Sequence, residues 1–205
     1  MNRFSSKLTG WLALLVGVAG VLAVIALALF SIGLFQNIRS LSSMGGINDK
    51  LNAVVGILGA ILASVLHPTL GRLAPRLSVV VFICAWLGAI AITYGSWLIL
   101  TGKGDLELST YYFFFGNGLI GTWLWALNRK LRQQAEAVMP PSLTRLGLIA
   151  GSFMMIGLLG LYGVLLGLDG DDYSPLIMGA GISFLGTGIL YPLWCLLLGR
   201  WILSK

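Results

Sequence analysis

The chain has 205 residues, 58% of them apolar and 10% charged, with a mean hydropathy of +0.93, whereas soluble domains sit near about 45–50% apolar and 25% charged. That composition excludes a free-standing soluble domain and specifies an all-α, polytopic transmembrane bundle, with apolar blocks of roughly 18 to 28 residues leaving room for six spans and short loops in one domain, 1–205. The net charge of +6 is not a nucleic-acid footprint, because no basic patch is interleaved with exposed stacking residues.

Arg3 and Lys7 precede an apolar run over 8–35, too long for the roughly 7–15-residue core of a signal peptide despite Ala26-Leu27-Ala28, and so read as an uncleaved first span. The Ser- and Gly-rich stretch from Gln36 to Lys50 reads as irregular outer chain. Span two covers 51–70 and ends in His67-Pro68, where proline removes the amide that would bond the Ser64 carbonyl. Span three covers 77–101. Span four, 110–127, opens with Tyr111, Tyr112, Phe113, Phe114 and Phe115 and closes with Trp123 and Trp125, aromatic belts for two interfaces. Its helix is expected to continue through NRKLRQQAEAV until Pro140-Pro141 stops it, with Ser142 or Thr144 capping span five, 146–168. DGDDYSP forms the next turn and Pro175 opens span six, 176–198.

The segment 128–145 fixes the topology. It carries Arg129, Lys130, Arg132 and Arg145 against Glu136 alone, a cytoplasmic signature. With both termini on that side, Arg3, Lys7, Arg72, Arg76, Arg200 and Lys205 join them, so ten of the 13 basic residues face the cytoplasm. Six of the seven acids, Asp49, Asp105, Glu107, Asp169, Asp171 and Asp172, fall outside. The basic loop is therefore a candidate contact for anionic lipid headgroups or for a membrane protein partner.

GNGLIG, Gly116–Gly121, matches a dinucleotide fingerprint, yet it lies within a span with no preceding strand and no acidic residue about 20 positions on, so its glycines are read as packing. In spans five and six, Gly147 and Gly151, Gly163 and Gly167, and Gly179, Ser183 and Thr187 recur at four-residue spacing. Folding the two about Asp171 and Asp172 sets Gly160 level with Ser183, Gly157 with Gly186 and Ser152 with Tyr191, predicting face-to-face packing. Asn117 needs a partner in hydrocarbon, and balancing the turn before span four brings it near Thr93 and Ser96. Pro192 must bend span six and free the Gly188 carbonyl. DGDDYSP has a hard-cation composition without the length of an EF-hand loop. LHPTLGR and LYPLWCLLLGR share a cytoplasmic exit signal rather than requiring a repeat. Cys84 and Cys195 read as buried small hydrophobes.

No span contains Asp, Glu, Lys or Arg, and the lone His67 lies across the bilayer from all acids but Glu136. No catalytic residue, metal-ligand set or cofactor site is therefore expected. From the charge layout, the glycine-rich spans and the ending YPLWCLLLGRW at Tyr191–Trp201, the chain resembles bacterial six-helix membrane proteins grouped as a domain of unknown function. That resemblance implies a bacterial plasma membrane and carries no catalytic residue. The expected role is a non-catalytic accessory, assembly or sensor-like membrane subunit. The alternative is a passive carrier or channel for a neutral or lipidic solute, lined by Asn117, Thr93, Ser96 and Tyr191. A third, a lipid-modifying enzyme, would use His67 as base.

Overall fold

The computed structural model describes residues 7–134, 138–166 and 175–205, and among them every regular element is helical. The first helix shows how sequence sets the arrangement. In α1 (Lys7–Phe35), Leu8, Trp11, Leu15, Val18, Leu22 and Ile25 recur every three or four residues and are exposed, while Gly10, Ala13, Gly17 and Gly20 lie buried between them. The large residues form a lipid-facing stripe and the small ones let another helix come close. That helix is the last one: Gly10 lies against Leu203, Gly17 against Leu196, and Gly20 against Pro192. Both ends of the described chain therefore meet at one end of the bundle, the terminal end. The opposite end is the loop end.

Between them run α2 (Arg39–Ser42), α3 (Met44–Leu73), α4 (Pro75–Leu100) and α5 (Leu106–Arg132). The fifth rod is α6 (Pro141–Met155), a 3-10 turn at Ile156–Leu159, and α7 (Gly160–Leu166). The sixth is α8 (Pro175–Phe184), a π-helical stretch at Leu185–Leu190, and α9 (Tyr191–Leu203). Each rod packs on its neighbours in sequence, and α1 closes the circle against α9.

Among the described residues, five helices are long and apolar enough to cross a membrane: 7–35, 39–73, 75–100, 141–162 and 179–203. α5 has the length but carries Asn117, Thr122 and Asn128 within it. Its place in the ring explains the difference. Leu106 is its one exposed large apolar residue, because α4 and the fifth rod cover its sides, so it has little lipid to match.

Several sequence expectations change here. The chain over Gln36–Lys50 is not irregular, since α2 lies within it and α3 starts at Met44. α5 does not run on to Pro140-Pro141, but ends at Arg132 with Gln133 closing its last turn. Neither Ser142 nor Thr144 caps α6, which starts at Pro141; the Thr144 hydroxyl instead bonds the Pro140 carbonyl at 3.1 Å. DGDDYS, Asp169–Ser174, and Gly167 lie outside the described residues.

The glycines do serve packing, but with a different partner. Gly151 lies against the Trp125 amide and the Gly121 carbonyl, Gly147 against Asn128, Gly157 against the Phe114 carbonyl, and Gly160 against the Tyr111 carbonyl. The stripe of the fifth rod therefore faces α5, where Gly118 and Gly121 answer it, while Gly116 of the same GNGLIG run meets Gly88 of α4. The expected register with the sixth rod is displaced by about one turn: Ser183 meets Gly157 and bonds the Met154 carbonyl at 3.3 Å, and Gly186 meets Ala150, Phe153 and Met154.

Candidate functional site

A ring of six rods has a middle, and side-chain size decides how it is filled. Toward the terminal end large aromatics fill it. Trp194 meets Trp123 edge-on at 6.4 Å between ring centroids and stacks on Tyr191 at 6.4 Å and 15°. The Tyr191 hydroxyl reaches α3 at Gly59, where an added Cβ would come within 2.9 Å of it. Leu62, Leu66, Ile120, Leu124 and Leu198 complete a dry plug.

Toward the loop end small and polar residues stand among apolar ones, and the middle stays open as a cavity of about 210 Å³, room for far more than one water. Five rods line it. α1 gives Gly20 and Ala23; α3 gives Asn48, Asp49 and Asn52; α4 gives Ser96; α5 gives Ser109, Thr110, Phe113, Phe114 and Asn117; the sixth rod gives Phe184, Thr187 and Gly188.

The α3 wall is a built polar ladder. Asn48 donates to the Ala23 carbonyl at 2.8 Å, and Asn52, one turn on, donates to Asn48 Oδ1 at 2.9 Å. Asp49 stands beside them, half-buried, as the one ionisable side chain in the lining among the described residues. On α5, Ser109 donates to the Gly95 carbonyl at 2.8 Å, tying α5 to α4 beside the cavity.

At the floor the sixth rod leaves its α-helical ladder. Pro192 has no amide to give Gly188. The helix widens to π geometry just before it, and the Tyr191 amide bonds the Gly186 carbonyl, bypassing that of Thr187. The Thr187 and Gly188 carbonyls thus lack their usual α-helical donors at the wall of the cavity. Thr187 is also 93% buried, and its hydroxyl has no hydrogen-bond partner. This is not the habit of the molecule, since Ser31, Ser64, Thr93, Thr110 and Thr122 each bond the carbonyl four residues back. Just below, Trp194 Nε1 is buried without a partner as well.

The expected site residues separate. Asn117 and Ser96 both line the cavity, but Asn117 is satisfied within α5, donating to the Phe113 carbonyl at 2.8 Å. Thr93 bonds the Ala89 carbonyl at 2.8 Å and lies outside the lining. Tyr191 belongs to the plug rather than the wall. His67 is remote, its Nδ1 paired with Ser78 Oγ at 2.8 Å and its ring 4.7 Å from that of Phe82. At the terminal end, Arg129 lies over the Trp125 ring at 4.7 Å and Lys130 bonds Gln133 at 3.2 Å, while Arg132 and Arg145 are exposed.

The chain matches no protein family model, no curated protein and no solved structure. Among the described residues, no three His, Cys, Asp or Glu side chains gather as metal ligands.

Sequence reasoning missed Asn48, Asp49, Asn52 and Thr187. Asn48 and Asn52 at four-residue spacing ahead of an apolar run were the available signal for the first three, masked by the Ser-Gly stretch before them. Thr187, five residues before a proline within an apolar run, was the signal for the floor.

Proposed function

We propose that the chain is a non-catalytic, multi-pass membrane protein that binds a small solute from its loop end, a sensor-like subunit with a blind receptor cavity. The observation that carries this reading is the cavity with its polar α3 wall toward the loop end, in a bundle whose middle toward the terminal end is filled by Tyr191, Trp194 and Trp123. A binding site needs concavity and a few placed polar groups, and both are present. A passive channel needs a continuous path, which the plug interrupts.

In this reading α5 is the sixth crossing, and the terminal end, where Arg72, Arg76, Arg129, Lys130, Arg132, Arg145 and Arg200 collect, is cytoplasmic in a plasma membrane. The cavity then opens outward. The basic rim, with Arg129 on Trp125 and Lys205 on Trp201 at 4.1 Å, suits anionic headgroups or a partner subunit.

The second reading is a carrier seen open to one side, favoured by the break in the sixth rod, since π-helical stretches and prolines are places where a helix can bend. Native mass spectrometry with flux in proteoliposomes separates the two. A retained small molecule without flux fits the receptor. Flux abolished by Asn117→Leu fits the carrier. A protein that retains nothing and passes nothing contradicts both.

A further inference from the structure

We infer that the cavity takes a small organic ammonium ion, held by the Asp49 carboxylate at the wall and by the aromatic side chains of Phe113, Phe114 and Phe184. The inference rests on the solute-binding reading above and adds the chemical class of the solute. The charge balance of the lining is one-sided: among the described residues Asp49 is present, and neither Lys nor Arg is.

A carboxylate would serve a bare metal ion equally well if the rest of the lining were polar. It is not. Phe113, Phe114 and Phe184 also line the cavity, and aromatic faces attract ammonium groups while offering apolar contact to their alkyl substituents. A space of about 210 Å³ also exceeds what one dehydrated metal ion requires. An ammonium ion with a short alkyl body meets all three features at once, and a carboxylate solute meets none.

The test uses the full chain in nanodiscs and solutes of matched shape. Choline, its neutral carbon isostere 3,3-dimethylbutan-1-ol and the anion 3,3-dimethylbutyrate form one set; n-butylammonium and butan-1-ol form another. Binding is measured by calorimetry, with sodium and potassium as bare-ion controls. In at least one set the ammonium is expected to bind more tightly than its neutral isostere by about tenfold or more. Asp49→Asn should bring the two within about twofold without changing the neutral solute's affinity. Phe184→Leu should weaken the ammonium selectively, and unchanged thermal unfolding of both variants shows that the fold is intact.

Equal affinity for cation and neutral isostere, preference for the bare ions, or an Asp49→Asn variant that keeps the preference would overturn the ammonium assignment while leaving a solute-binding protein. Absence of binding by every probe would overturn the solute-binding reading, and the assignment with it.

Discussion

In the terminal half of the bundle, Trp123, Trp194 and Tyr191 meet ring to ring with less than 2% of each exposed, whereas in the loop half the same ring stands around Asn48, Asn52, Ser96 and Asn117 and leaves about 210 Å³ open. The rods are the same, so the difference lies in what each presents to the middle. Within α3, Asn48 and Asn52 give way to Gly59, Leu62 and Leu66. Within the sixth rod, Thr187 gives way to Tyr191 and Trp194 one and two turns on. One bundle thus holds a seal and a receptacle, and the helix leaves α geometry where one becomes the other.

The comparison breaks most completely at the plug. Trp194→Ala removes a fully buried indole touching Tyr191 and Trp123, and should cost about 3–5 kcal/mol, read as a large fall in unfolding temperature in detergent. If the variant folds, water should reach the terminal half, and Ala63→Cys in that background should become reactive.

Gly121→Val comes next. A Cβ there would lie 2.5 Å from Met154 Cβ and 3.0 Å from the Gly151 carbonyl, so α5 and α6 must part, at about 1–3 kcal/mol. Thermal unfolding should fall, and the effect should be the same with or without a bound solute, because this seam lies behind the cavity rather than in it.

The Asn48 ladder belongs to the cavity half. Asn48→Ala removes the tie to Ala23 and the acceptor of Asn52, for about 0.5–1.5 kcal/mol, checked by the same melt. Thr187→Val is the smallest change and has the opposite sign. The hydroxyl it removes is buried without a hydrogen-bond partner, so stability should hold or rise by about 1 kcal/mol, read by the same melt.

Membrane character and the main helical blocks were legible because they depend on apolar length alone, which residues 8–35 and 77–101 display without ambiguity. Ser96 and Asn117 stood out because polar groups within apolar runs are scarce, although the bond Asn117 makes is to the Phe113 carbonyl of its own helix rather than to α4. The α3 wall was not: whether Asn48 faces chain or water depends on where α3 begins, and the Ser-Gly stretch before it reads as loop until the Asn48 bond to Ala23 is seen. The same limit displaced Asn128, which sits at the start of a basic stretch yet is fully buried against Gly147. The glycine stripe of the fifth rod was visible, but spacing alone does not say which neighbour it faces. Only the closure of α1 on α9, which fixes the order of rods around the ring, turns it toward α5.

The most direct test of a one-sided cavity above a sealed floor is side-specific thiol labelling. In a Cys84→Ala, Cys195→Ala background, Ser96→Cys would be treated with a membrane-impermeant methanethiosulfonate from each face of oriented vesicles, beside Ala63→Cys, which is fully buried in the terminal half. The account predicts that Ser96→Cys reacts from the loop side alone and that Ala63→Cys reacts from neither. Reaction of Ser96→Cys from the terminal side, or comparable reaction of both positions, would contradict it.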